Sequence, residues 1–300
     1  MRVAIPDLIS PSYFPLVAAV DLGFLDAELE LLYPVTKTYE ELREGRLDFV
    51  GGASHAALYA FKDWKGARLL CALAQHMYWF LVLRKDLNPR HGDLNSVKGL
   101  RIGAAPGPVD GLKRLLQAKG IDPAKEVQIG PVPGVVEKTA SFGLMAAKAL
   151  EHGKIDGFWA NGMGAEIAVR GGYGTLVLDA RRDGPEEAKG YTFPALVTTE
   201  RMVRDKPEQA RAALEAVVAA QQALKEDPNR ATAVGNKRFP PAEAALIAEL
   251  IARDVPYYDP AISARTVQSM NRFAGDIGIL SKPVAYEALV ATDFSRDWRA

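Results

Sequence analysis

The sequence predicts an α/β protein of two lobes, each a wound mixed sheet flanked by helices, with a helical C-terminal segment packing back on the first lobe. Three observations carry this. The first two-thirds of the 300 residues alternate strand and helix patterns in two successive series. The length suits two lobes of ordinary size. After Leu178 the strands give way to long amphipathic helices.

In chain order, Arg2–Pro6 reads as a short buried strand, Asp7–Ser12 as a polar loop, and Tyr13–Leu22 as a helix with Ser12 as N-cap and Gly23 as its C-terminal stop. Glu28–Tyr33 and Leu47–Val50 read as strands around a helix over Thr38–Glu44. Gly51–Ser54 then turns the chain into a helix over His55–Lys62, and Arg68–Ala74 is a further strand. This order implies mostly parallel strands. The second series has strands at Leu100–Ala104, Val127–Val132, Ile155–Trp159 and Thr175–Leu178. Helices are expected at Val109–Lys119, Phe142–Glu151 and Gly164–Arg170. Tyr191–Thr198 is strand-like. Pro207–Lys225, Pro241–Arg253 and Ser263–Ile277 carry apolar residues at helical spacing.

Composition narrows the function. Hydrophobic residues make up 48% and charged residues 25%, the balance of a globular protein with material for two cores. Lys+Arg and Asp+Glu are 37 each, so there is no basic surplus to gain from counterion release, and a nucleic-acid partner is not expected. The single cysteine, Cys71, lies in an apolar run and reads as a buried structural thiol. No apolar stretch approaches the ~20 residues of a membrane span. Met1–Pro6 enters a strand at once, with no apolar segment or cleavage site before it. Periplasmic residence is therefore expected if a signal peptide has been trimmed, and cytoplasmic residence is the alternative.

Enzyme motifs are scarce. The four histidines form no metal-ligand spacing, the phosphate-binding Gly-x-x-x-x-Gly-Lys-Ser/Thr loop is missing, and there is no Gly-x-Ser-x-Gly elbow. Gly103–Gly107 sits where a dinucleotide fingerprint would, but Pro106 and Pro108 break the pattern. No cofactor and no metal are expected. Four polar or glycine-rich loops remain at the C-terminal ends of strands, where wound sheets bind ligands: Ser10–Tyr13, Gly52–His55, Ala104–Val109 and Ala160–Gly162. Two come from each series, as one ligand held between two lobes requires. Tyr13, Tyr78, Trp79, Trp159, Tyr191 and Phe193 could wall such a pocket.

Four stretches in this order, Ser12–Phe24 (SYFPLVAAVDLGF), Leu42–Ser54 (LREGRLDFVGGAS), Val97–Pro106 (VKGLRIGAAP) and Ala147–Ala160 (AKALEHGKIDGFWA), resemble the nitrate/sulfonate/taurine and thiamine-precursor solute-binding group of the type II periplasmic binding fold. The resemblance covers roughly residues 1–220. It implies two lobes, 1–76 with 195–300 and 77–194, joined by crossings near 75–80 and 190–198. It also implies closure on a ligand and delivery to the membrane subunits of an ABC-type importer, by a protein expected to be a monomer. Residue by residue it points to Ser10, Ser12, Tyr13, Ser54 and His55 from lobe one and to Ala105, Pro106 and Asn161 from lobe two. Gln75, His76 and Tyr191 would line the hinge side. Gly107–Asp110 departs from the Ser/Thr-rich anion cradle of such lobes, and Asp110 would repel an anion. A small aromatic or heterocyclic ligand therefore fits better than a simple oxyanion. An enzyme of the same fold, of thiamine-pyrimidine or menaquinone-precursor type, is the rival reading, with His55, His76 and Asp110 as acid–base candidates.

Overall fold

The computed structural model describes residues 1–136 and 139–299; Glu137, Lys138 and Ala300, which the expected lobe ranges include, lie outside the described residues. It contains two five-stranded sheets. The first is built from β1 (Arg2–Ile5), β2 (Glu28–Leu31), β3 (Phe49–Ala53) and β4 (Ala67–Ala72), and the second from β5 (Phe80–Arg84), β6 (Arg101–Ala104), β7 (Gln128–Gly130), β8 (Gly157–Ala160) and β9 (Gly174–Asp179). A last strand, β10 (Pro194–Thr199), belongs to the first sheet.

The two sheets share one plan. In the first, ordered β2-β1-β3-β10-β4, the strands β2, β1 and β3 are parallel, and β10 runs antiparallel between β3 and β4. In the second, ordered β7-β6-β8-β5-β9, the strands β7, β6 and β8 are parallel, and β5 runs antiparallel between β8 and β9. Each sheet thus takes into its interior one strand that has just crossed from the other half. The expectation of mostly parallel strands holds for three strands of each sheet; the inserted strand makes both mixed. The strand β5 is not among those expected from the sequence.

Most elements follow their sequence signals. The helix Phe14–Asp21 starts with Pro15 in its first turn and ends where Gly23 takes a positive φ of 83°, a conformation that costs glycine little. Ser12 does not cap it, because its hydroxyl is bonded to Ser10 Oγ at 2.7 Å. The helix expected over His55–Lys62 is instead a 3-10 turn, Ser54–Tyr59, followed by a second short one at Lys62–Trp64. The C-terminal helices pack on lobe one. Pro207–Glu226 lies along Phe14–Asp21, and Gln221 Nε2 donates 3.0 Å bonds to the carbonyls of Ala72 and Leu73 at the end of β4. Two of them also reach lobe two: Pro241–Asp254 contacts the helix Gly162–Arg170, and Asp276 pairs with Arg114 at 2.9 Å. Among the described residues no helix is long and apolar enough to cross a membrane.

A buried charge fixes the crossings. Arg181, just after β9, is 3% exposed and donates to Asp179 Oδ1 and Oδ2 at 3.0 and 2.8 Å and to Asp254 Oδ1 at 2.9 Å. Its guanidinium lies 4.2, 4.4 and 4.7 Å from the ring centroids of Tyr78, Tyr257 and Phe80. The Tyr78 hydroxyl, on the other crossing, donates to Asp254 Oδ2. Burial by itself would raise the pKa of Asp254, but bonds from Arg253 and the charge of Arg181 hold it below the usual carboxylate value. Removing one member of such a cluster leaves the others charged and dry. Arg181→Met is expected to lower stability by about 3–5 kcal/mol, read as a shift in the urea midpoint. A loss under ~1 kcal/mol would show that the cluster does not brace the crossings.

Candidate functional site

Beyond the C-terminal ends of the parallel strands, where the lobes meet, lies a narrow cavity of about 40 Å³. That is room for a few waters, so the lobes stand close together. Lobe one supplies Asp7 and Ser10 after β1, Tyr13 at the start of Phe14–Asp21, and Tyr33 and Val35 after β2. Trp79 comes from the crossing into β5. Lobe two supplies Ala105, Pro106 and Pro108 after β6, Phe142 at the start of Phe142–Glu151, and Trp159, Ala160 and Asn161 at the end of β8.

The polar centre is Asp7, 6% exposed. Its Oδ1 accepts from the amide of Ile9 at 3.1 Å, closing a local turn. Its Oδ2 accepts only from lobe two: Asn161 Nδ2 at 2.7 Å, Ser141 Oγ at 3.1 Å and the Gly143 amide at 3.4 Å. Ser141 is the N-cap of Phe142–Glu151, and the Asn161 Oδ1 caps Gly162–Arg170 by accepting from Met163 and Gly164 amides, both at 3.1 Å. A carboxylate of lobe one is thus seated on the starts of two helices of lobe two. The backbone adds one more bridge, from the Leu8 amide to the Ala140 carbonyl at 2.9 Å. Glycine makes the fit possible. A Cβ on Gly143 would stand 2.6 Å from Asn161 Oδ1, and one on Gly164 would stand 2.4 Å from the Gly143 carbonyl oxygen.

Desolvation raises the Asp7 carboxyl to a pKa of about 6 despite its Ser141 and amide donors. Burial, with the Asp7 charge adding to it, also raises the phenol of Tyr13 and pushes that of Tyr33 up to about 12, so both stay neutral donors. The rest of the wall is aromatic. Tyr33 stacks on Phe142 across the lobes, with centroids 6.0 Å apart and an interplanar angle of 9°. Trp79 and Trp159 meet at 6.2 Å, and Trp159 Nε1 donates to the Pro108 carbonyl at 3.0 Å.

Of the residues singled out in the sequence, Ser10, Tyr13, Ala105, Pro106 and Asn161 line this cavity. Ser12 lies behind Ser10, bonded to its hydroxyl. Ser54 and His55 are fully buried in a second seam between the lobes. There His55 Nδ1 meets Thr192 Oγ1 at 2.8 Å, and Nε2 meets the Gly107 carbonyl at 3.1 Å and Asp110 at 3.5 Å. Gln75 donates 2.8 Å bonds to the Asp259 and Ala261 carbonyls and borders a separate, open groove of about 950 Å³. His76, at a positive φ of 68°, stands against Tyr257. Tyr191 stacks on Phe273 at 4.8 Å, its hydroxyl buried without a hydrogen-bond partner. Asp110 accepts from the Tyr59 hydroxyl at 2.8 Å, so the acid that faces the cavity is Asp7. Cys71 is fully buried in β4, and desolvation pushes its thiol well up. Pro108 and Ala160 fall within the expected loops, whereas Asp7, Tyr33, Val35 and Phe142 were not among the sequence candidates. Asp7 and Tyr33 each follow an expected strand and could have been found from that position; Phe142 carries no such signal.

Because the folded carboxyl of Asp7 titrates above its unfolded value, its contribution favours the folded state at low pH and is lost as pH rises from about 4 through 6. The shift amounts to roughly 3 kcal/mol. In urea melts from pH 4 to 7, the stability of the native protein should fall relative to Asp7→Asn by up to about that amount; a pH-independent gap would contradict the assignment. Gly107, at a positive φ of 87°, presses on Val35 across the seam, where a Cβ would stand 2.8 Å from Val35 Cγ1. Gly107→Ala should prop the lobes apart, visible as a larger radius of gyration in solution scattering; an unchanged profile would show that this contact does not limit closure.

Residues 92–235, just under half of the chain, match the model of the NMT1-like family. Solved structures of similar fold include the alkanesulfonate-binding protein of Xanthomonas axonopodis pv. citri bound to MOPS (14% identity, TM-score 0.75, covering 97% of both chains). The periplasmic nitrate-binding protein of Synechocystis PCC 6803 is another (15% identity, TM-score 0.75, 99% of this chain and 87% of that one). A cysteine-to-serine mutant of a desulfurization enzyme, in complex with biphenyl-2-sulfinic acid, is similar too (16% identity, TM-score 0.68, 99% and 98%). No curated protein sequence matches the chain. The expected resemblance and the two-lobed α/β fold are thereby borne out.

Proposed function

We propose that this protein is a solute-binding component that clamps a small organic molecule between its lobes for delivery to an ABC-type importer. The observation that carries this reading is the cavity itself: it lies on the seam between the lobes, and its one carboxylate makes all but one of its bonds across that seam. We place lobe one at 1–76 and 195–300, lobe two at 77–194, and the moving crossings near 75–80 and 190–198. Tyr13, Tyr33, Trp79, Phe142 and Trp159 favour an aromatic or heterocyclic ligand. The fold shared with periplasmic importers' binding proteins supports a periplasmic address.

The enzyme reading draws on the similarity to the desulfurization enzyme. Its acid–base candidates fare poorly by geometry. His55 is locked into the seam by Thr192 and Gly107, while neither His76 nor Asp110 borders the cavity. A binding role therefore has the stronger support.

Screening the purified protein by thermal denaturation against a metabolite library tests the proposal. A true ligand at a hundred times its Kd should add about 2.7 kcal/mol of stability. Turnover of a bound compound that is lost in correctly folded His76→Ala would decide for the enzyme instead.

A further inference from the structure

The walls of the cavity carry a charge preference that deepens this reading and rests on it. Among the described residues that line it, Asp7 is the only carboxylic acid, and none is Lys, Arg or His. An anion held between two lobes would draw on the free N–H groups at helix starts. Here those donors are already engaged. Asp7 Oδ2 takes the Ser141 hydroxyl, the Gly143 amide and the Asn161 amide, and Asn161 Oδ1 takes the Met163 and Gly164 amides. An incoming sulfonate or nitrate would meet a fixed carboxylate in the place where it needs donors. Asp7 Oδ1, in contrast, accepts only the Ile9 amide and keeps acceptor capacity. The same cavity is lined by Tyr13, Tyr33, Trp79, Phe142 and Trp159, and an aromatic face attracts positive charge through the ring quadrupole.

We infer that the ligand selected by this cavity is a small organic cation, a protonated nitrogen on an aromatic or apolar frame, with Asp7 as its counter-charge and Tyr33 as part of its aromatic cage. Desolvation leaves the carboxyl at a pKa of about 6, as befits an acid short of positive neighbours. The phenols of Tyr13 and Tyr33 are raised in part by the same uncompensated charge.

Titration calorimetry at pH 7.5 and low salt, with three probes of matched size, tests this: benzylammonium, benzyl alcohol and benzenesulfonate. Benzylammonium should bind at least tenfold more tightly than benzyl alcohol, and benzenesulfonate should be the weakest. Asp7→Asn should cost the cation tenfold or more while benzyl alcohol changes less than threefold. Tyr33→Leu, which leaves the Asp7 bonds in place, should weaken the cation severalfold and guards against misfolding of the first variant. Binding of benzenesulfonate or benzyl alcohol as tight as that of the cation, or cation binding indifferent to both substitutions, overturns the charge preference and leaves the clamp standing. If none of the three probes binds, and no member of the metabolite library stabilises the protein, the clamp falls and the inference with it.

Discussion

A guanidinium buried among three aromatic rings is the constraint on which the two-lobed arrangement depends. The chain passes between the sheets just before β5 and again just before β10, and each passage ends in the interior of a sheet rather than at its edge. Strands inserted in this way cannot shift without breaking ladders on both of their sides. Arg181 ties the start of one passage to Tyr78 on the other and to Asp254 on a C-terminal helix. The late helices are thus part of the frame that sets where the lobes meet, and through it the shape of the cavity.

Much of this was legible in the sequence, for reasons that can be named. Parallel strands buried on both faces read as short apolar runs, and Gly23 marks a helix end through its positive φ. Loops after β1, β6 and β8, which line the cavity, were recognisable because wound sheets open clefts beyond those ends. The partner of an inserted strand was not legible, since β10 pairs with segments more than a hundred residues away and no local pattern encodes that register. The same limit hides the partners of the polar loop residues. Ser54 and His55 have the composition of a ligand loop, yet Gly107 and Thr192 occupy their hydrogen-bonding groups. Asp7 was read as part of a polar loop because burial of a single carboxylate by a distant helix start leaves no trace nearby in sequence.

The two buried carboxylates that organise the molecule have opposite electrostatic characters. Asp254 is surrounded by two arginines and sits below the ordinary range, whereas Asp7 has only neutral donors and sits above it. Asp254 therefore stabilises the frame at neutral pH and loses that contribution in acid, and Asp7 does the reverse. A satisfied ion cluster sits between the crossings, and a charge without a counter-charge among the described residues sits on the seam.

The placement of Asp7 on the seam has a mechanical consequence. Its neutral donors all come from lobe two apart from the Ile9 amide, so parting the lobes returns the carboxylate to water and to an ordinary acidity. Shutting them at neutral pH then works against the desolvation that raises this carboxyl. In the proposed clamp the seam would act as an electrostatic spring, stiff while Asp7 is ionised, slack once acid protonates it, and released by whatever brings a positive charge to its centre.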